Sequence, residues 1–131
     1  MDRESASNAR KKISLSQKRI ESILNEIISN RKPLTQGKVN VIFTRCGRQG
    51  CKCERGERHT SHFLYVSRGG PLKRIYVPKK DLKKLSERSE RYRRYRSLRA
   101  ELVSVSKQLV AQVDDLERAI TEPYEKEGGR R

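Results

Sequence analysis

Between Pro78 and Pro123 the chain has neither glycine nor proline, and its apolar residues recur at threes and fours. Leu82, Leu85, Tyr92, Tyr95, Leu98, Leu102, Val105, Leu109, Val113, Leu116 and Ile120 follow one another in this way, with a single gap of seven. A helix repeats every 3.6 residues, so such spacing gathers these side chains into one stripe. Pro78 suits the first position of a helix, where the missing N–H has no partner to lose. Residues 78–122 are therefore predicted to form one helix of about 40 residues, roughly 60 Å long at 1.5 Å per residue. With Tyr95, Leu102, Leu109 and Leu116 at a, Leu98 and Val105 occupy d, while Gln112 and Ala119 weaken the later d sites. A periodic helix of this length points to a coiled coil.

A second stripe lies near the start. Ile13, Ile20, Ile23, Leu24, Ile27 and Ile28 predict a helix over 8–32, capped by Ser7 or Asn8 and ended by Pro33 and Gly37. Residues 1–7 read as a flexible polar start. This helix is expected to fold back, antiparallel, on roughly the first half of the long one. About fifteen residues of stripe would then stay bare, including Leu98, Leu102, Val105, Leu109, Val113 and Leu116. Wet apolar surface is unfavourable by about 25 cal/mol per Å², which points to a homodimer of C2 symmetry or another helical protein partner. The alternative is that the stripe frays or continues along a shallow two-helix hairpin.

The middle of the chain changes character. Val39 to Thr44, His62 to Ser67 and Leu72 to Val77 are β-branched and aromatic and read as three strands. Arg68-Gly69-Gly70-Pro71 joins the last two as a hairpin. The fold class expected is α+β: an N-terminal helix, a small three-stranded antiparallel module over 38–77 held by zinc, and a long C-terminal helix that forms an antiparallel helical hairpin or coiled coil. Residues 123–131 are expected to be a flexible tail.

Charge narrows the function. Of 131 residues, 32 are Lys or Arg and 16 are Asp or Glu, a net charge of +16. Hydrophobic residues make up 33% and charged ones 37%, which argues against a large core and against an enzyme pocket for a small-molecule substrate. No 18-residue apolar stretch predicts a membrane span, and the first thirty residues lack a secretory h-region, so a cytoplasmic location is expected. There the cysteines should be reduced. A surplus of positive charge attracts polyanions, of which nucleic acid is the commonest inside cells.

Cys46-Gly47-Arg48-Gln49-Gly50-Cys51-Lys52-Cys53 places three thiols within eight residues, and His59 follows six residues on. Zn²⁺ takes four N or S ligands in a tetrahedron, and three Cys with one His is a usual structural set. The expected ligands are Cys46, Cys51, Cys53 and His59, with His62 as the other candidate for the fourth place. A small sheet that buries little gains most from such a staple. Three reduced thiols packed as small hydrophobes, a redox sensor, and a catalytic Cys–His pair stand behind zinc in that order.

These residues resemble an uncharacterised prokaryotic family of small basic proteins. It carries Cys-Gly-Lys/Arg-x-x-Cys-x-Cys, then Gly-x-x-His, then an aromatic strand and Tyr-Val-Pro before a long helix. The matching residues are Cys46-Gly47-Arg48, Cys51, Cys53, Gly56, His59, Phe63, Tyr65 and Tyr76-Val77-Pro78, within about residues 40 to 100. The family often has Gly-Pro and a run of aromatics after the histidine, where this chain has Thr60-Ser61-His62-Phe63. The resemblance implies the limits of the module and no assigned activity.

Ser86 to Arg99 carries six arginines, at 88, 91, 93, 94, 96 and 99, against two carboxylates, Glu87 and Glu90. Arginine suits bidentate phosphate contacts. Tyr92 and Tyr95 fall on the stripe and are expected in packing before base stacking. The residues expected to touch phosphate are Arg45, Arg48, Lys52, Arg55, Arg58, Arg68, Lys73 and Arg74 in the module and Arg91, Arg93, Arg94 and Arg96 on the helix. The function expected is non-enzymatic nucleic-acid binding, DNA slightly ahead of RNA. A coiled-coil adaptor, or an accessory subunit that docks on an acidic protein or a nucleic-acid enzyme, is the rival.

Overall fold

The computed structural model describes residues 1–44, 50, 56 and 59–126. It is α+β: α1 (Arg3–Ser29), β1 (Lys38–Thr44), β2 (His59–Val66), β3 (Lys73–Val77), a 3₁₀ turn at Lys79–Asp81, and α2 (Leu82–Ile120). Two compact units share α2. One comprises Met1–Asn30 with Ser97–Arg131, the other Arg31–Arg96. No helix among the described residues is long and apolar enough to cross a membrane.

In the first unit, α1 starts at Arg3 instead of Asn8, and its cap is Asp2 instead of Ser7 or Asn8. The Asp2 carboxylate accepts the Ser5 N–H at 3.0 Å and the Ser5 hydroxyl at 2.6 Å, which satisfies the open first turn. Ala6 and Ala9, both buried, carry the stripe two steps further than the isoleucines do. Residues 1–7 are thus mostly helix, not a loose start. At the other end α1 stops at Ser29, and Asn30 takes extended backbone three residues before Pro33.

The expected partner half of α2 is also corrected. The Asp2 N–H donates to the Ala119 carbonyl at 2.9 Å, Ser16 Oγ donates to Gln112 Oε1 at 2.7 Å, and the Arg19 guanidinium pairs with Glu101. Rising numbers on α1 meet falling numbers on α2, so the two run in opposite directions. Inward on α1 lie Ala6, Ala9, Ile13, Ser16, Ile20, Ile23 and Ile27, at alternating threes and fours. Inward on α2 lie Leu98, Leu102, Val105, Leu109, Gln112, Leu116 and Ala119, at the same intervals. The half of the stripe expected to lie bare therefore faces the chain's own first helix, with Leu98 buried and Leu102, Val105, Leu109 and Leu116 half-buried. Val113 alone of the six positions expected in that interface is open, at 48% exposure.

The earlier part of the stripe is taken by the second unit, where Leu82, Leu85, Ser89 and Tyr92 are buried or half-buried. Its sheet is antiparallel in the order β1-β2-β3. Pairing runs from Lys38↔Tyr65 to Thr44↔His59 on one side of β2, and from His62↔Val77 to Val66↔Lys73 on the other. β2 thus begins at His59, three residues ahead of the predicted start, because the ladder with β1 continues to that pair. Leu64, Val66 and Val77 are buried on one face. The first turns of α2 and the segment 33–37 close over that face.

Gly37 makes this closure possible. Its φ is +120°, and a Cβ there would stand 2.8 Å from both Leu64 Cδ1 and the Tyr65 carbonyl. Its carbonyl accepts Ser89 Oγ at 2.5 Å. The Thr35 N–H donates to the Arg88 carbonyl and Arg91 Nε to the Pro33 carbonyl, each at 3.1 Å. These bonds fasten the connector to the helix.

Candidate nucleic-acid interface

Side chains alternate across a strand, and directly paired residues share a face. Leu64 lies opposite Val39 and Ile75, toward α2. Phe63 lies opposite Asn40 and Tyr76, and Tyr65 opposite Lys38 and Arg74, on the other face of the sheet. This face is open at Lys38, Arg74 and Tyr76, while Phe63 and Tyr65 on it are half-buried. Phe63 and Tyr76 meet edge to face, with centroids 5.7 Å apart and planes at 72°. The Arg74 guanidinium lies 4.5 Å above the Phe63 ring, a cation–π contact. Tyr76 remains 60% exposed. None of the three strands contains Asp or Glu, so the face carries positive charge without an acidic neighbour in its own sheet.

The other predicted cations divide. Arg68 and Lys73 are exposed and line one hollow beside the Gly69–Gly70 turn, together with Val66, Pro71 and Ile75. Arg94 and Arg96 are exposed on α2. Arg91 and Arg93 have structural work: Arg91 holds the Pro33 carbonyl, while Arg93 donates to Ser89 Oγ at 3.2 Å and pairs with Glu90 at 2.9 Å. Arg45, Arg48, Lys52, Arg55 and Arg58 lie outside the described residues.

Cys46, Cys51 and Cys53 also lie outside them. Among the described residues no three His, Cys, Asp or Glu side chains gather as metal ligands do. His59 stands on β2, not in the loop, as the partner of Thr44 at the base of the 45–58 connection. His62 is the partner of Val41 and Val77, so the two histidines occupy opposite faces. Gly50 and Gly56, within the same connection, have φ of +78° and +88° with open space where a Cβ would be. Such left-handed turns let a loop curl on itself.

The sequence does not single out Tyr65 and Tyr76 as sharing one face with Phe63 and Arg74. Their signal is the period-two spacing of Phe63 with Tyr65 and of Arg74 with Tyr76. It is masked because the alternate positions, Leu64, Val66 and Ile75, are apolar too.

No curated protein and no solved structure matches the chain. The model of one family, described as a domain of unknown function (DUF6788), matches residues 13–87. This span runs from α1 through the whole sheet into the first turns of α2. Because it covers more than half of the sequence, the chain belongs to the DUF6788 family.

Proposed function

We propose that the chain is a non-enzymatic nucleic-acid-binding protein. The observation that carries this reading is the carboxylate-free sheet, with Arg68, Lys73 and Arg74 exposed on a chain of net charge +16. Each cation set on a phosphate releases condensed counterions, so affinity falls steeply as salt rises. The test is a KCl titration against a labelled oligonucleotide. A log–log slope corresponding to several phosphates is expected; a flat response overturns the reading.

A structural zinc on Cys46, Cys51, Cys53 and His59 belongs to the same proposal. Its supports are the thiol spacing, the left-handed Gly50 and Gly56, and the position of His59 where the connection rejoins the sheet. Bound thiolates would give this centre a charge of about −1, offset by the neighbouring arginines. Metal analysis of natively purified protein should find one zinc per chain, and finding none overturns this part.

A second reading has its own observation. Val103, Val110 and Val113 on α2 and Leu24 and Ile28 on α1 are exposed. A coiled-coil adaptor or accessory subunit would use them against a protein partner. Sedimentation at increasing concentration, which would show self-association, and weak nucleic-acid affinity would favour it.

A further inference from the structure

We propose that the open face of the sheet is a stacking platform for the unpaired bases of single-stranded nucleic acid, with Tyr76 and Arg74 as its two upper surfaces. This rests on the nucleic-acid reading above and gives it a substrate class.

The geometry separates single strands from duplexes. In a duplex the base faces are already stacked on one another, and a protein of this kind reaches little but phosphate. A single strand offers the π-face of every base, which aromatic rings and guanidinium planes accept whatever the base. Phe63 is the support beneath. Its edge-to-face contact with Tyr76 and its position 4.5 Å under the Arg74 guanidinium hold both groups. Tyr76 is 60% exposed beside them, which leaves much of its ring in water although Phe63 packs on one edge. Lys38, at the far edge and opposite Tyr65, supplies charge for the backbone of the strand.

The chemistry of the face decides for this occupant over a protein. A protein docking patch of this size would be apolar at its centre with polar groups of both signs at its rim. Here the polar residues that the sheet itself gives this face are Lys38, Asn40, Thr44, His59, Ser61 and Arg74, none of them a carboxylate. Charge and rings together match a polyanion that carries bases.

The test uses the full chain and a labelled oligothymidylate of about 12 nucleotides, within the site sizes known for such platforms, beside a duplex of equal phosphate number. The variants are Tyr76→Ala and Tyr76→Phe. Because the side chain is exposed, both should keep the wild-type circular dichroism. Tyr76→Ala should weaken single-strand binding about tenfold or more and leave duplex binding and the salt slope unchanged. Tyr76→Phe should retain the wild-type affinity. The sequence has five tyrosines and no tryptophan, so quenching of tyrosine emission by the oligonucleotide is a second readout. If Tyr76→Ala binds the single strand as the wild type does, with the salt slope intact, the platform is overturned while the nucleic-acid reading stands. If neither oligonucleotide binds, both fall.

Discussion

Ser16 Oγ donates to the Gln112 side-chain oxygen at 2.7 Å across the seam between α1 and the second half of α2, where the repeats on both helices otherwise set apolar against apolar. Ser16 is 7% exposed, so its hydroxyl has little access to water. A buried polar pair of this kind is valued less for stability than for fixing which layers meet.

Breaking the pair from one side should therefore differ from removing it. Gln112→Leu strands the Ser16 hydroxyl and is expected to destabilise by about 1–3 kcal/mol. The double variant Ser16→Ala with Gln112→Leu removes both polar groups and should recover most of that loss. Urea midpoints of the two single variants and the double variant give the coupling. Additive losses would contradict a linked pair.

Ser89 does the corresponding work in the other unit. It is 1% exposed, donates to the Gly37 carbonyl and accepts from Arg93. Ser89→Ala leaves the carbonyl without that donor and should cost about 1–3 kcal/mol. Thermal melts read this directly, and an unchanged midpoint would show that water replaces the hydroxyl at no loss.

Gly37→Ala should be the more damaging change. The backbone at φ +120° is one that L residues rarely adopt, and one of the two atoms 2.8 Å from the new Cβ is the Tyr65 carbonyl oxygen within the ladder. A flexible side chain could turn aside, but a paired strand carbonyl cannot. Strain of this kind is worth about 1–3 kcal/mol before the clash is added. Gly37→Ala should therefore fall below Ser89→Ala in urea midpoint, and a tolerated alanine would refute the geometry at this turn.

What the sequence disclosed follows from how each element is held. α2 was legible because threes and fours run from Leu82 to Ile120 with no breaker. Its neighbours were not, because a stripe shows that a face is apolar and not what covers it. The sheet takes the stripe up to Tyr92, and α1 takes it from Leu98 onward. Ala6, Ala9 and Ser16 stayed hidden for a similar reason: they are small, and a search for large apolar residues passes over them although they are buried. The strands were legible to within three residues at His59. Which face is open was not, since Phe63 and Tyr65 alternate with Leu64 and Val66 and packing against α2 decides between them. Of the zinc proposal, the sequence carried the thiol spacing, and the left-handed Gly50 and Gly56 needed the backbone.

The cap of α1 makes stability depend on pH in a calculable direction. The Ser5 hydroxyl, and after it the Ser5 N–H, hold the Asp2 carboxyl below the usual carboxylate range. A folded value lower than the unfolded one means that the folded state binds fewer protons in acid. The cap's contribution is therefore complete above the unfolded value of about 3.9 and is lost as pH falls through the lower folded value. Asp2→Ala should melt below the wild type at pH 7, and the gap should close as the pH is taken below about 4. Asp2→Asn caps through its amide oxygen and carries no titrating charge, so its melting point near neutrality should lie close to the wild type. Melts across the acid range measure both gaps, and an Asp2→Ala gap that persists unchanged below the folded value would mean that the ionised carboxylate is not what holds the first turn.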